Sequence, residues 1–274
     1  MWHRVQLTPS SAERAEAIAA AMFAAGAEGV HEDGPRLITH LPAEQDPSAF
    51  IEQVRAAADP TLTGETSALE DVDWSERWRD RITSHQLGKL TVTPPWLAAG
   101  MDPATTVVIE PAMAFGTGEH PTTRGVVRLM QAVVRPGDSV ADLGSGSAIL
   151  AIAAVKLGAS RAFAIEMDHD SIGNAEENVA ANGVTDRVAV LEGDAFALLP
   201  VVAPVRIILA NIISSVLVEL LPLIGESLTP DGVVILSGIL VEERARMLDV
   251  LASEGWRVDA EDAEDQWWSV RVSR

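Results

Sequence analysis

Hydrophobic positions recur along this chain in two rhythms, and the change between them marks a boundary. Over the first 70 residues short alternating runs are interleaved with helical ones. "HRVQLT" alternates as a strand does, and "SSAERAEAIAAAMFAAG" follows with a serine cap at Ser10, Glu13 three residues on and Gly26 to close it. "EGVHEDG" and "RLITHLP" predict two strands around the Gly34-Pro35 turn; "DPSAFIEQVRAAAD" predicts a capped helix and "SALEDV" a last strand. That order, βαββαβ, is the ferredoxin-like split unit, so residues 1–70 are expected to form a small α+β domain.

Next, "DWSERWRDRI" sets Trp74, Trp78 and Ile82 at helical spacing, and "LTVTPPWLAAGMDPATT" is proline-rich and irregular. Residues 71–104 therefore read as a connector whose tryptophans pack against a neighbouring domain. From residue 105 strands alternate with helices, which implies an α/β domain on a mostly parallel sheet. Strands are predicted at 139–143, 161–166, 188–192, 205–210 and 232–237. Helices are predicted at about 121–134, 147–157, 169–181, 213–228 and 242–253. The closing "GWRVDAEDAEDQWWSVRVS" holds two strand-like runs with no helix between, an antiparallel pair for one edge of a seven-stranded sheet.

Composition narrows the picture. A chain of 274 residues with 47% hydrophobic content can fill the cores of one large or two medium domains. Even its richest apolar run is cut by Arg206, Asn211 and Glu219, short of the ~18 residues that a membrane span needs. "MWHRVQLTPS" has no signal-peptide core, and a cytoplasmic protein is expected. Cysteine is absent, which excludes thiol nucleophiles and thiolate metal sites, and the six histidines lack ligand spacing, so no metal is expected. Forty acidic against 20 basic residues repel nucleic acid and would speed encounter with a cationic partner.

The chemistry begins at "SVADLGSGSAILAIAAVKLGA". A β-branched run reaches Asp142, turns through Gly144 and Gly146 and enters an apolar helix, which places a ligand pocket at the end of that strand. The third glycine of a dinucleotide fingerprint is replaced by Ile149, and no lysine lies between Lys89 and Lys156 to make a nucleoside-triphosphate loop. An acid before a short glycine turn suits a ligand with a cationic amino group and a ribose, and S-adenosylmethionine fits. Glu166, at the end of "AFAIEMD", is placed to accept both ribose hydroxyls. Asp194 in "LEGDAFALLP" is placed for the adenine amino group, and equally for a turn. Asn211 ends the run "IILAN", where its amide could accept from an amine or orient the cofactor tail, or cap the next helix.

"MAFGTGEHPTTR", "DLGSGSAILAIAAVKLGA", "LANI" and "LSGIL", in this order and spacing, resemble the ribosomal protein L11 methyltransferase family. "DWSERWRD" and "PPWL" resemble that family's connector, so the resemblance covers nearly the whole chain. It implies a class I methyltransferase domain at 105–274 with a Rossmann-like sheet, and a substrate-recognition domain at 1–70. It implies methylation of the N-terminal amine and lysine side chains of a basic large-subunit ribosomal protein, with no direct nucleic-acid or membrane contact. Cofactor contacts are implied at Thr123, Gly144, Glu166 and Asn211, with Phe115, Gly116 and His120 nearby; His120 is a candidate proton acceptor. This chain departs from the family at Ser145, where cysteine is usual, at Ala148 for glycine, Glu119 for threonine and Glu166 for aspartate. Two alternatives stay open at this point, a methyltransferase for another basic protein or small amine and a catalytically silent cofactor-binding module.

Overall fold

The computed structural model describes residues 2–11, 14–27, 29–69, 82–111 and 118–274. They fall into two units, within 1–81 and within 82–274. The predicted helix carrying Trp74 and Trp78 lies outside the described residues.

In the first unit β1 (Trp2–Thr8), α1 (Ala15–Ala24), β2 (His31–Asp33), β3 (Arg36–Pro42), α2 (Pro47–Ala57) and β4 (Thr63–Leu69) keep the expected βαββαβ order. The strands pair antiparallel as β2-β3-β1-β4. Ile18, Met22, Phe50 and Val54 of the helices pack on Val5, Leu7, Leu37 and Leu41 of the sheet, which is why one face of each element is apolar. Two details differ from expectation. β4 begins at Thr63 rather than in "SALEDV", because its edge position leaves Glu65, Thr66 and Ser67 exposed and no hydrophobic alternation betrays it. Ser10 does not cap α1; its backbone amide donates instead to the buried Asp59 carboxylate at 2.9 Å, and the helix starts at Ala15 without a side-chain cap.

The second unit opens with β5 (His85–Leu87), β6 (Leu90–Thr93) and β7 (Thr106–Val108), a separate three-stranded sheet. The irregular reading of "LTVTPPWLAAGMDPATT", residues 90–106, is corrected here, since its ends belong to β6 and β7. Leu87, Leu90 and Val92 share a core with Val107 and Ile109, and Pro94 and Pro95 follow β6 instead of interrupting it. Then come α3 (Pro121–Met130), β8 (Ser139–Leu143), α4 (Ile149–Lys156), β9 (Arg161–Glu166), α5 (His169–Ala181) and β10 (Val188–Glu192). The rest is α6 (Ala195–Val202), β11 (Val205–Asn211), α7 (Ser214–Ser227), β12 (Leu228–Leu240), α8 (Arg244–Ser253), β13 (Arg257–Glu264) and β14 (Trp267–Ser273). Helix α6 was not expected, because "AFALLPVV" is nearly all apolar and shows no period.

These strands form one seven-stranded sheet in the order β10-β9-β8-β11-β12-β14-β13. The first five run parallel, and β14 is antiparallel to both of its neighbours, as the closing hairpin predicted. The fold is the Rossmann-like class I methyltransferase arrangement. Within the hairpin, β14 is the mostly buried strand, while β13 alternates exposed and half-buried and takes the edge. Strand order reverses between β8 and β11, and in open α/β sheets a ligand binds outside the carboxyl ends at such a switch.

Candidate active site

Beyond β8 the backbone turns through Gly144 (φ +68°) and Gly146 (φ +50°) into α4. The amides of Gly144 and Ser145 both donate to the Ile165 carbonyl, at 2.9 and 3.0 Å, which lays the turn against the end of β9. A Cβ on Gly144 would stand 2.5 Å from Cγ2 of Ile212, the residue after Asn211, so the turn and the end of β11 touch here only because position 144 is glycine.

Two carboxylates bind this turn from below. Asp142 is 1% exposed, and its Oδ2 accepts from the Ala151 amide in the first turn of α4 at 3.0 Å. Its Oδ1 is buried and has no hydrogen-bond partner among the described residues. Burial pushes its pKa up to about 7, against the pull of the Ala151 amide, and the nearby Glu166 adds to the rise. Glu166 ends β9; its Oε2 accepts from the Gly146 amide and its Oε1 from the Asp168 amide, both at 2.9 Å. Each oxygen keeps a second lone pair. Ser145 is also buried and its hydroxyl has no partner among the described residues, and the same holds for Thr123 in the first turn of α3. Asp194 is exposed and caps α6 through the Phe196 amide, which is its turn-forming reading.

A pocket of about 330 Å³ adjoins the end of β11. Asn211, Ile213, His120, Thr122, Gly238 and Trp267 line it. Asn211 is the last residue of β11, and the N-cap of α7 is Ile213, so the side chain of Asn211 does not cap that helix. His120 is the N-cap of α3: its Nδ1 accepts from the Thr122 amide at 3.4 Å and lies 2.7 Å from the Thr122 hydroxyl. Burial first, and then the charge of Arg124, lowers its pKa, which favours the neutral ring. Phe115 and Gly116 lie outside the described residues.

Trp267 reaches this pocket from the closing hairpin. Arg128 of α3 binds Asp262 with two hydrogen bonds, of 2.8 and 2.5 Å, and Glu264 with a third of 2.8 Å. Arg124 pairs with Glu264 and also donates to the Glu119 carbonyl at 2.6 Å. Planar guanidinium-to-carboxylate contacts of this kind fix orientation as well as distance. The hairpin is thus clamped to the helix that carries His120.

A family profile described as Ribosomal protein L11 methyltransferase (PrmA) matches residues 9–274. The chain belongs to the ribosomal protein L11 methyltransferase family. It is 34% identical to the ribosomal protein L11 methyltransferase of Thermus thermophilus over 275 residues, covering 100% of both chains. It is 37% identical to that of Geobacter metallireducens over 214 residues, 77% of this chain and 68% of the relative. The crystal structure of a ribosomal protein L11 methylase from Lactobacillus delbrueckii subsp. bulgaricus matches with a TM-score of 0.63 at 33% identity, covering 70% of this chain and 99% of that one.

As a member of the L11 methyltransferase family the protein uses S-adenosylmethionine as methyl donor. The residues present suit such a group. At the glycine turn lie a buried carboxylate oxygen and a buried hydroxyl without partners among the described residues, and a second such hydroxyl, of Thr123, lies in the first turn of α3; these are groups that an ammonium, a carboxylate and a ribose can engage. Among the described residues no cluster of side chains could hold a metal ion, and no helix is long and apolar enough to cross a membrane. Sequence reasoning missed Trp267, since a tryptophan in a terminal hairpin looks like core. It also missed an asparagine series on α5 whose spacing, residues 174, 178 and 182, was visible throughout.

Proposed function

We propose that the protein transfers methyl groups from S-adenosylmethionine to amino groups, the N-terminal amine and lysine side chains, of ribosomal protein L11 in the cytoplasm. The observation that carries this reading is the pocket of Asn211, His120 and Trp267 directly beside the glycine turn. It is open to solvent through the exposed Ile213, as a site for a protruding amine must be. The 1–81 unit is assigned to recognising the protein substrate, and no direct contact with nucleic acid is invoked.

Asp142, Gly144, Gly146, Glu166, Thr123 and Asn211 are assigned to holding the cofactor, with Phe115, Gly116 and Asp194 at its margins. When bound, the cofactor supplies a sulfonium methyl that a neutral amine displaces in line. The chain's main task is therefore alignment, which can supply ~7–11 kcal/mol, whereas a general base typically contributes ~10² to 10⁴-fold. Asn211 offers a carbonyl oxygen to an amine N–H and so orients its lone pair. The Trp267 ring covers part of the pocket, and partial desolvation of the amine favours its neutral form. Deprotonating a lysine is roughly 3.5 kcal/mol costlier than deprotonating an N-terminal amine. His120, whose neutral form is favoured, is available to take that proton.

Incubating the purified protein with S-adenosylmethionine and separated large-subunit proteins tests this. Mass shifts in methyl increments on L11, mapped to its N-terminus and lysines, are expected. Modification of a different protein, or none, would reject the substrate.

A further inference from the structure

Asn174 and Asn178 of α5 and Asn182 at its C-cap, spaced four apart, hold residues 108–110 at the end of β7. Asn182 accepts from the Val108 amide at 2.9 Å and donates to the Val108 carbonyl at 2.6 Å. Two residues on, the Glu110 amide donates to Asn178 Oδ1 at 2.8 Å, and Asn174 donates to the Glu110 carbonyl at 3.3 Å. The intervening Ile109 turns the other way and donates to the Thr93 carbonyl of β6 at 3.0 Å. Alternate residues facing opposite edges is the signature of a β-ladder. On this edge the ladder is completed by side-chain amides instead of a strand, and the paired donors and acceptors fix the orientation of both Asn178 and Asn182.

Asn178 makes a further bond that Asn182 does not. Its Nδ2 donates to the Ser147 carbonyl, inside the glycine turn, at 3.1 Å. The residue is 1% exposed, and its bond to Ser147 is made away from water, while the bond from Glu110 is half-buried. One amide thus joins Glu110 to the turn whose Gly146 amide also binds Glu166.

We infer that Asn178 is a positioning residue that couples the end of the β7 segment to the glycine turn, so that the turn is held in its binding geometry before the cofactor arrives. This rests on the reading of the turn as the cofactor's seat. Without the tie, ordering the turn becomes a cost of binding, and affinity falls. Asn182 supplies the natural control, since it grips the same strand and helix but not the turn.

The test uses the full chain with S-adenosylhomocysteine as probe, read by calorimetry and by hydrogen exchange. For N178A the expected loss of affinity is about tenfold, against less than about threefold for N182A. In the wild type, binding should slow exchange over both 144–148 and 106–111; in N178A it should slow only the first. If N178A does not fold, N178D serves, because it keeps the acceptor for the Glu110 amide and loses the donor to Ser147. A variant with lowered melting temperature but unchanged affinity and joint protection would make Asn178 merely structural and overturn the inference. A wild type that binds no S-adenosylhomocysteine would overturn the site reading itself, and this inference with it.

Discussion

Trp267 meets His120 edge to face, with ring centroids 5.0 Å apart and an interplanar angle of 64°. The contact joins the closing hairpin to the helix cap, and both rings line the pocket. An aromatic face beside the acceptor position can attract an incoming ammonium before it is deprotonated, worth about 0.5–2 kcal/mol. Trp267→Ala should lower kcat/KM for the protein substrate by roughly tenfold while S-adenosylhomocysteine affinity changes less than about threefold. Trp267→Phe should recover most of the loss; full activity in the alanine variant would remove the residue from the site.

Asp142 predicts a pH dependence whose sign follows from its burial. In the unfolded chain its pKa is about 3.9, whereas in the fold it is pushed up to about 7. Below the lower value the carboxyl is protonated in both states and costs nothing. Between the two the fold retains a proton that the unfolded chain has lost, so the contribution to stability falls as pH rises, levelling off above 7 at a cost on the order of 4 kcal/mol. A cationic ligand prefers the ionised form, so calorimetry should show cofactor affinity rising with pH through about 7. Asp142→Asn should bind weakly with a flat profile; a variant that keeps the wild-type slope would place the titration elsewhere.

Asn211 is assigned the acceptor role in the proposed transfer. Replacing it with alanine should reduce turnover roughly ten- to hundredfold, the loss expected when one well-placed hydrogen bond to the reacting amine is removed. Its effect on cofactor affinity separates orienting the amine from holding the cofactor. Turnover and affinity both at wild-type levels would dismiss the residue from either role.

The formal charge of −20 should act on encounter. For a basic protein substrate, stopped-flow association rates should fall steeply as salt rises from about 0.05 to 0.5 M, while cofactor affinity moves little. Salt-independent association would leave the charge with solubility alone.

Much of the second unit is legible in the order of its residues. Strands β8, β9 and β10 match their predicted limits residue for residue, because each is a short, largely apolar run bounded by turn residues. Asp142, Gly144 and Glu166 stand out for the same reason, since a polar or turn-forming residue that ends an apolar strand marks the sheet edge where ligands bind. What fails to show are elements whose side chains do not alternate. The edge strand β4 faces water, α6 is apolar on every side, and β5 to β7 are too short to establish a period.

By itself the sequence determined the order of the elements, the class of sheet, the family and the carboxylates and glycines at the carboxyl edge. These are local properties, set by periodicity and by which residue types a turn can accept. Tertiary structure alone decided that Trp267 stands against His120, that two arginines of α3 clamp the hairpin bearing it, and that Asn178 ties Glu110 to Ser147. Each joins residues far apart in the chain, and a distant contact leaves no period for a sequence to display. It arises only when the sheet order brings the ends of separate strands to one edge.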